Sequence, residues 1–386
     1  MDTELTIFLY LMVDLLALLF IWIADSQPHT VSLNIEELRC DCTSNNHCVS
    51  LATIAIVCSF SCLFLLLSLR DYVGTDYSAY VSAYQSIGLD NLYEGERSWL
   101  MQSPSFFLLC KILYSVSDDY ICMFAVIGMI TLSCFYKAIC NISVNWTLSL
   151  YLFLCFCLYY QAFNQIRQMT AIAIIAVSYR YLLSDDLKRF LMTVIVASSF
   201  HLSALIFLII WPIRKIEINF KHLAIYFFAG ALLFLFFTRI QNALSFLGYV
   251  QTYAADQSFS ASFELSTILN FAVRLLLFTF CLLFYRATVK RSSYTAIYYN
   301  VAAVCTILQI GAIMFNIFGR LTTYFYIVYI FLIPEVLKTI SKPFDKYGTA
   351  LLYSGAIIIF AVYFVVYYFS PAGAQGAGYL NYSTWL

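Results

Sequence analysis

The sequence predicts an all-α, polytopic integral membrane protein with about 10–12 transmembrane helices plus short re-entrant or interfacial helices, organised as a single membrane domain over residues 1–386. Three observations carry this reading. The chain is 62% hydrophobic and only 11% charged, less than half the roughly 25% charge of a soluble domain. Its mean hydropathy is +0.83. Its apolar residues come in long continuous runs rather than in alternation, which excludes a β-barrel. The 21 basic residues balance 21 acidic ones, so no basic tail or stripe is available for a phosphate backbone, and no nucleic-acid partner is expected.

A spanning helix needs roughly 20 mostly apolar residues. Such runs occur at 5–23, 50–69, 119–137, 146–163, 168–183, 222–238, 266–285, 294–317, 321–337 and 348–369. The first follows the acidic leader Met1-Asp2-Thr3-Glu4 and has no small-residue cleavage site after it, so it reads as a retained span. Segment 104–117 is short and carries Lys111, which suits a lipid-interface or re-entrant helix. Segment 190–213 breaks at Ser198-Ser199-Phe200-His201, which suits a bent span or re-entrant pair. No internal repeat of the transporter kind is present.

Lys and Arg in loops set the orientation. One assignment places fourteen of them on the cytoplasmic side: Arg39, Lys137, Arg180, Lys188, Arg189, Arg214, Lys215, Lys221, Arg286, Lys290, Arg291, Lys338, Lys342 and Lys346. Both termini then lie outside. The remaining seven, outside or in the outer half of a span, are Arg70, Arg97, Lys111, Arg167, Arg239, Arg274 and Arg320. The inner set mixes eight Lys with six Arg, whereas the outer set is six Arg and one Lys. Arginine is the choice where a planar fork must grip phosphate or carboxylate, and ionisable groups near membrane depth are usually functional. Taken singly, each outer arginine has an ordinary alternative: snorkelling, or pairing with Asp71, Asp76, Glu94, Asp256 or Glu264. As a set they point to anion binding.

Outer loops 70–118 and 239–265 are the candidate active-site loops. The first opens with Arg70-Asp71-Tyr72-Val73-Gly74-Thr75-Asp76-Tyr77, where Gly74 permits a tight turn that brings Arg70 and Asp76 toward one cavity, followed by Tyr80, Glu94, Glu96 and Arg97. A second site is Asn164-Gln165-Ile166-Arg167-Gln168, at the junction of two apolar runs. A third is Phe200-His201-Leu202-Ser203; a histidine in an apolar stretch is ordinarily a hydrogen-bonded core residue, a reading that weakens where burial is costlier. The fourth is Gly319-Arg320-Leu321-Thr322-Thr323-Tyr324. Arg274 lies about one and a half turns into its span, one turn after Asn270.

These motifs, in this order, resemble the EpsG-like branch of the Wzy-type bacterial polysaccharide polymerases (O-antigen, capsule or exopolysaccharide). That pattern has R-x-x-G-x-D-x-x-x-Y after the second span, here Arg70, Gly74, Asp76 and Tyr80. A later R-Q with small residues matches Arg167-Gln168 with Ala171 and Ala173. F-H-x-S-A matches Phe200-His201-Leu202-Ser203-Ala204, and R-x-x-x-Y matches Arg320 and Tyr324. The resemblance covers roughly residues 50–340. Two features depart from it: the long acidic loop holding Cys40, Cys42, His47 and Cys48, and the tail 370–386.

The resemblance implies a GT-C-like, metal-independent membrane glycosyltransferase in the bacterial cytoplasmic (inner) membrane, without a cofactor. It polymerises oligosaccharide repeat units carried on undecaprenyl pyrophosphate at the outer face, with membrane lipid around it and a chain-length regulator as a partner. The growing glycan passes from its lipid pyrophosphate to the next lipid-linked unit. Arg70, Arg97, Arg167, Gln168, Arg274, Arg320 and Tyr324 are the candidates for binding pyrophosphate and sugar, with donors aimed at the departing charge. The acceptor hydroxyl needs a base; Asp76 and His201 are the candidates, the histidine being closer to neutrality in its ordinary pKa. Asp118-Asp119 and Asp185-Asp186 are adjacent rather than spaced as a metal-binding D-x-D would be, and Asp118-Asp119 fits a helix cap. Cys40, Cys42, His47 and Cys48 are zinc-type ligands at irregular spacing; facing an oxidising space, the three cysteines could instead pair. The alternatives are a lipid-linked oligosaccharide flippase or transporter, and another membrane glycosyltransferase or ligase using the same donor. A membrane O-acetyltransferase relying on His201 is a weaker one.

Overall fold

The computed structural model describes residues 3–27, 50–88, 102–243, 265–314, 316–368 and 377–384. These residues form helices and no strand; one β-bridge joins Arg70 to Thr384. The chain divides into two compact units, Met1–Leu202 with Lys346–Leu386, and Ser203–Asp345.

The first unit begins with α1 (Thr3–Asp25), whose buried residues Thr6, Tyr10, Asp14, Ala17, Ile21 and Ala24 recur every three to four positions and so form one face. That face packs on α2 (Leu51–Ser68). Small residues let the helices approach: Ser59 donates to the Ala17 carbonyl at 2.7 Å, an interhelical bond of the kind that replaces the hydrophobic drive inside a membrane. Ser50 caps α2 by accepting from the Thr53 amide at 3.2 Å. Next come α3 (Tyr77–Gly88) and α4 (Pro104–Tyr114). The eleven residues of α4 rise only about 16 Å, half the hydrocarbon thickness, as its short apolar run predicts.

Helix α5 (Ile121–Ile142) packs on α2 and on the central α8. The run expected to be continuous over 146–163 is interrupted: α6 (Trp146–Cys155) stops, Cys157 adopts a left-handed φ of +55°, and α7 (Leu158–Gln161) adds a single turn. A left-handed residue cannot continue an α-helix, so this run is two pieces. Helix α8 (Ile166–Leu183) is buried on nearly all sides. Helix α9 (Leu187–Phe200) is capped by Asp186, ends at His201, and is followed by a 3₁₀ turn, Leu202–Ile209; the break falls where the sequence places it.

In the second unit, α10 (Ile210–Ile213) and α11 (Phe220–Ala243) precede α12 (Leu265–Leu283) and α13 (Tyr285–Arg291). The latter two are bent by 59° at Phe284. Helix α14 (Thr295–Met314) is the hub, touching α11, α12, α15 (Asn316–Tyr326) and α16 (Tyr329–Ile340). Helices α15 and α16 meet at 44°. Returning to the first unit, α17 (Lys346–Tyr368) lies on α6, where the Tyr151 hydroxyl donates to the Ile357 carbonyl at 2.6 Å.

Among the described residues, five helices are long and apolar enough to cross a membrane, or seven if each bent pair is one span. This is fewer than the 10–12 read from apolar runs alone. The run at 146–163 is split at Cys157, and α8 carries Arg167 and Arg180 and is buried in protein. The all-α, multi-pass architecture stands.

Candidate functional site

One end of the first unit gathers residues far apart in sequence. The start of α1, the loop after α2 and the C-terminal tail meet there. The Tyr382 amide donates to Thr6 Oγ1 at 3.1 Å, the Tyr10 hydroxyl to the Tyr379 carbonyl at 2.9 Å, and the Asp71 amide to the Ser383 carbonyl at 2.8 Å. Both ends of the described chain therefore lie on the Arg70 side of the first unit.

Arg70 leaves α2 and turns inward, with 1% of its surface exposed. Its guanidinium donates to the Leu67 carbonyl and, at 3.4 Å, to the Phe163 carbonyl. It lies 4.8 Å from the Phe124 ring, 5.1 Å from Phe163 and 5.8 Å from Tyr77. Cation–π attraction offsets part of the cost of burying the charge. Among the described residues no carboxylate lies within 4.0 Å of it and its Nε has no hydrogen-bond partner. It lines a cavity of about 10 Å³ with Leu67, Phe124, Gly128 and Thr131.

The chain then reverses through Tyr72 (φ +51°) and Gly74 (φ +105°). Asp76 emerges exposed, so Arg70 and Asp76 diverge instead of facing one cavity. Gly74 is required by both conformation and space: a Cβ there would sit 2.3 Å from Asn164 Oδ1. Asp76 accepts from the Thr75 hydroxyl at 3.4 Å, and its own amide donates to Asn164 Oδ1 at 3.4 Å.

Arg167 is half-buried at the start of α8. It donates to Ser103 Oγ at 3.1 Å, and its guanidinium sits 5.9 Å from the rings of both Tyr80 and Phe106. Burial raises the Tyr80 phenol pKa, and the adjacent Arg167 charge opposes that rise. Ser103 precedes Pro104 at the N-terminus of α4 and gives its helix no side-chain cap, so its oxygen is committed to Arg167. Two residues on, the Ser105 hydroxyl donates to Ser199 Oγ at 2.7 Å. Phe200 packs on the Tyr77, Tyr80, Tyr84 and Phe106 cluster. The start of α4 thus ties Arg167 to the end of α9, where His201 is half-buried. Gln168, next to Arg167, is buried.

The second unit holds its own cluster. Arg274 on α12 donates to Gln309 Oε1 on α14 and lies 4.4 Å from the Tyr326 ring. No carboxylate of a described residue lies within 4.0 Å of it either. Tyr324 is fully buried and accepts from the Ser203 hydroxyl at 3.1 Å, while Arg320, one turn earlier on α15, is exposed.

Arg97, most of loop 239–265, and Cys40, Cys42, His47 and Cys48 lie outside the described residues. Sequence reasoning did not anticipate Ser103, Gln309, Tyr326 or the tail residues Ala377 and Gly378. Ser103-Pro104 is a legible helix start, but nothing in sequence marks its oxygen for Arg167. No curated protein and no solved structure matches the chain. The EpsG family model matches residues 53–384, which takes in the tail as well as all four motifs. The chain is a multi-pass membrane protein of the EpsG family, of the polysaccharide polymerase type.

Proposed function

We propose that the protein polymerises oligosaccharide repeat units linked to undecaprenyl pyrophosphate, at the outer face of the bacterial cytoplasmic membrane. The observation that carries this reading is the Arg167 cluster: in an EpsG-family chain, an arginine that donates to Ser103 and lies beside the Tyr80 and Phe106 rings stands at the end of the first unit where Asp76 and His201 also lie. A guanidinium presents its N–H groups as a planar fork, the geometry that matches a pyrophosphate.

In this reading the acceptor hydroxyl of the incoming lipid-linked unit attacks the anomeric carbon of the growing chain. The glycosidic carbon–oxygen bond to pyrophosphate breaks, and the acceptor proton passes to Asp76 or His201. Arg167, with Gln168 behind it, stabilises the charge that builds on the leaving pyrophosphate. Arg70 is buried, so its part in anion binding is to raise the local potential from beneath the loop. Arg274, Arg320 and Tyr324 are proposed as anion- and sugar-binding residues of the second unit, and Arg97 as one from loop 70–118. The reaction is assigned no metal and no cofactor, and a chain-length regulator is the proposed protein partner.

The test uses protein in liposomes with a synthetic undecaprenyl-pyrophosphate-linked repeat unit, read by mass spectrometry. A ladder spaced by the repeat mass, with release of undecaprenyl pyrophosphate, is expected. Transfer to a different acceptor would make it a ligase. Native substrate that crosses the bilayer unchanged would make it a flippase.

A further inference from the structure

We infer that Asn164 is a positioning residue, locked by the C-terminal tail, that holds Asp76 in register with Arg167. The inference rests on the proposed function for the roles of Asp76 and Arg167; the clasp itself stands on geometry. Three successive amides of the loop are bound. Gly74 donates to the Gly378 carbonyl at 3.2 Å and Thr75 to the Ala377 carbonyl at 3.2 Å, and Asp76 donates to Asn164 Oδ1 at 3.4 Å. The same Asn164 amide donates through Nδ2 to the Ala377 carbonyl at 3.0 Å. One 93%-buried side chain therefore fixes both the loop and the strap that pins the loop (its exposure is 7%).

The backbone is shaped for this arrangement. Gly74 is at φ +105°, with its missing Cβ occupied by Asn164 Oδ1. Gly378 is at φ +73°, with Thr75 N only 3.4 Å from where its Cβ would be. Asn164 lies three residues before Arg167, at the entry to α8. Its Oδ1 thus fixes the Asp76 backbone relative to the helix start that carries the guanidinium. The Asp76 carboxylate itself is exposed and accepts from the adjacent Thr75 hydroxyl, while its backbone is held by Asn164. Preorganisation of this sort acts on turnover, because the geometry of the reacting groups changes while the substrate's remote contacts do not.

The experiment compares wild type, Asn164→Ala and Asn164→Asp as full chains in nanodiscs, by hydrogen exchange of the 74–76 amides and by polymerisation of the synthetic undecaprenyl-pyrophosphate-linked repeat unit. Asn164→Ala is expected to speed exchange at Asp76 roughly tenfold or more and to lower kcat roughly 10–100-fold with KM nearly unchanged. Asn164→Asp keeps an acceptor for the Asp76 amide but loses the donor to Ala377, so exchange should rise mainly at Gly74 and Thr75. If Asn164→Ala fails to insert, Gly378→Ala, strained at a positive φ, carries the same test from the tail side. Unchanged protection at 74–76 in these variants overturns the clasp, and unchanged kcat with lost protection overturns the positioning role. Wild type that protects these amides yet extends no substrate counts against the proposed polymerase and leaves the clasp standing.

Discussion

Two arginines of this chain, Arg70 fully buried and Arg291 largely so, meet opposite company. Arg291, at the end of α13, donates to Glu335 and Thr339 on α16, and Tyr294 donates to the same carboxylate. Glu335 is 1% exposed. Arg70 is as deeply buried, but its partners are two carbonyls and three aromatic rings. Arg274 likewise leans on an amide oxygen and a tyrosine ring. The first arrangement cancels its charge and is a structural staple between helices. The second keeps a net positive charge inside low-dielectric surroundings, where its field on a nearby anion is stronger than in water. The comparison separates a cation that builds the fold from cations left charged.

The largest expected effect is on the staple. Glu335→Ala strands the Arg291 charge and should cost about 3–5 kcal/mol of stability, seen as a large loss of folded protein in a thermal-melt or expression assay. A variant that melts like wild type would show the pair is not needed to neutralise Arg291. Next, Arg167→Lys keeps the charge but loses the fork, and should lower polymer formation roughly 100-fold or more without loss of folded protein. Full activity in that variant would remove Arg167 from phosphate binding. Arg274→Met strands no carboxylate, so its stability loss should stay within about 1–2 kcal/mol while polymer yield falls; a loss as large as that of Glu335→Ala would erase the distinction. Gly74→Ala should cost about 1–3 kcal/mol from backbone strain, with the contact between its Cβ and Asn164 Oδ1 adding to it, measurable by the same melt. Arg320→Gln is the smallest: the side chain is exposed, so stability should not move and only substrate KM is expected to rise.

Much of the fold is legible because the membrane enforces it. Runs at 5–23, 50–69, 119–137, 294–317 and 348–369 each appear as one long helix, since backbone groups in lipid have no other way to be satisfied. The break at His201 is legible from Ser198 and Ser199, which satisfy themselves on the carbonyls of Ile195 and Val196. The break at Cys157 is not, because nothing in Phe156-Cys157-Leu158 resists a helix; tertiary packing decides it. The site is half-legible. Arg167, Asp76 and His201 are marked by polarity against an apolar background, and the structure brings them to one end of the first unit. Arg70 and Arg167 look alike in sequence, yet one is sealed beneath aromatic rings and the other is half-open. The tail was the least legible part, since Ala377 and Gly378 act through their carbonyls and bring no side-chain signature to read.

That tail has a consequence for how the protein comes into being. Ser383 and Asp71 are 312 residues apart, so the loop after α2 leaves the ribosome long before its partner exists. At ordinary synthesis rates of 5–20 residues per second the wait is about 15–60 s. During that interval the Gly74 and Thr75 amides have only water or lipid headgroups to bind, and the Asp76–Arg167 register is not yet set. A nascent chain can be inserted, helical and fully threaded through the bilayer while the end that carries Arg70 and Asp76 is still immature. Agents that stall or trim the chain late in translation should therefore yield protein that is correctly located yet inert.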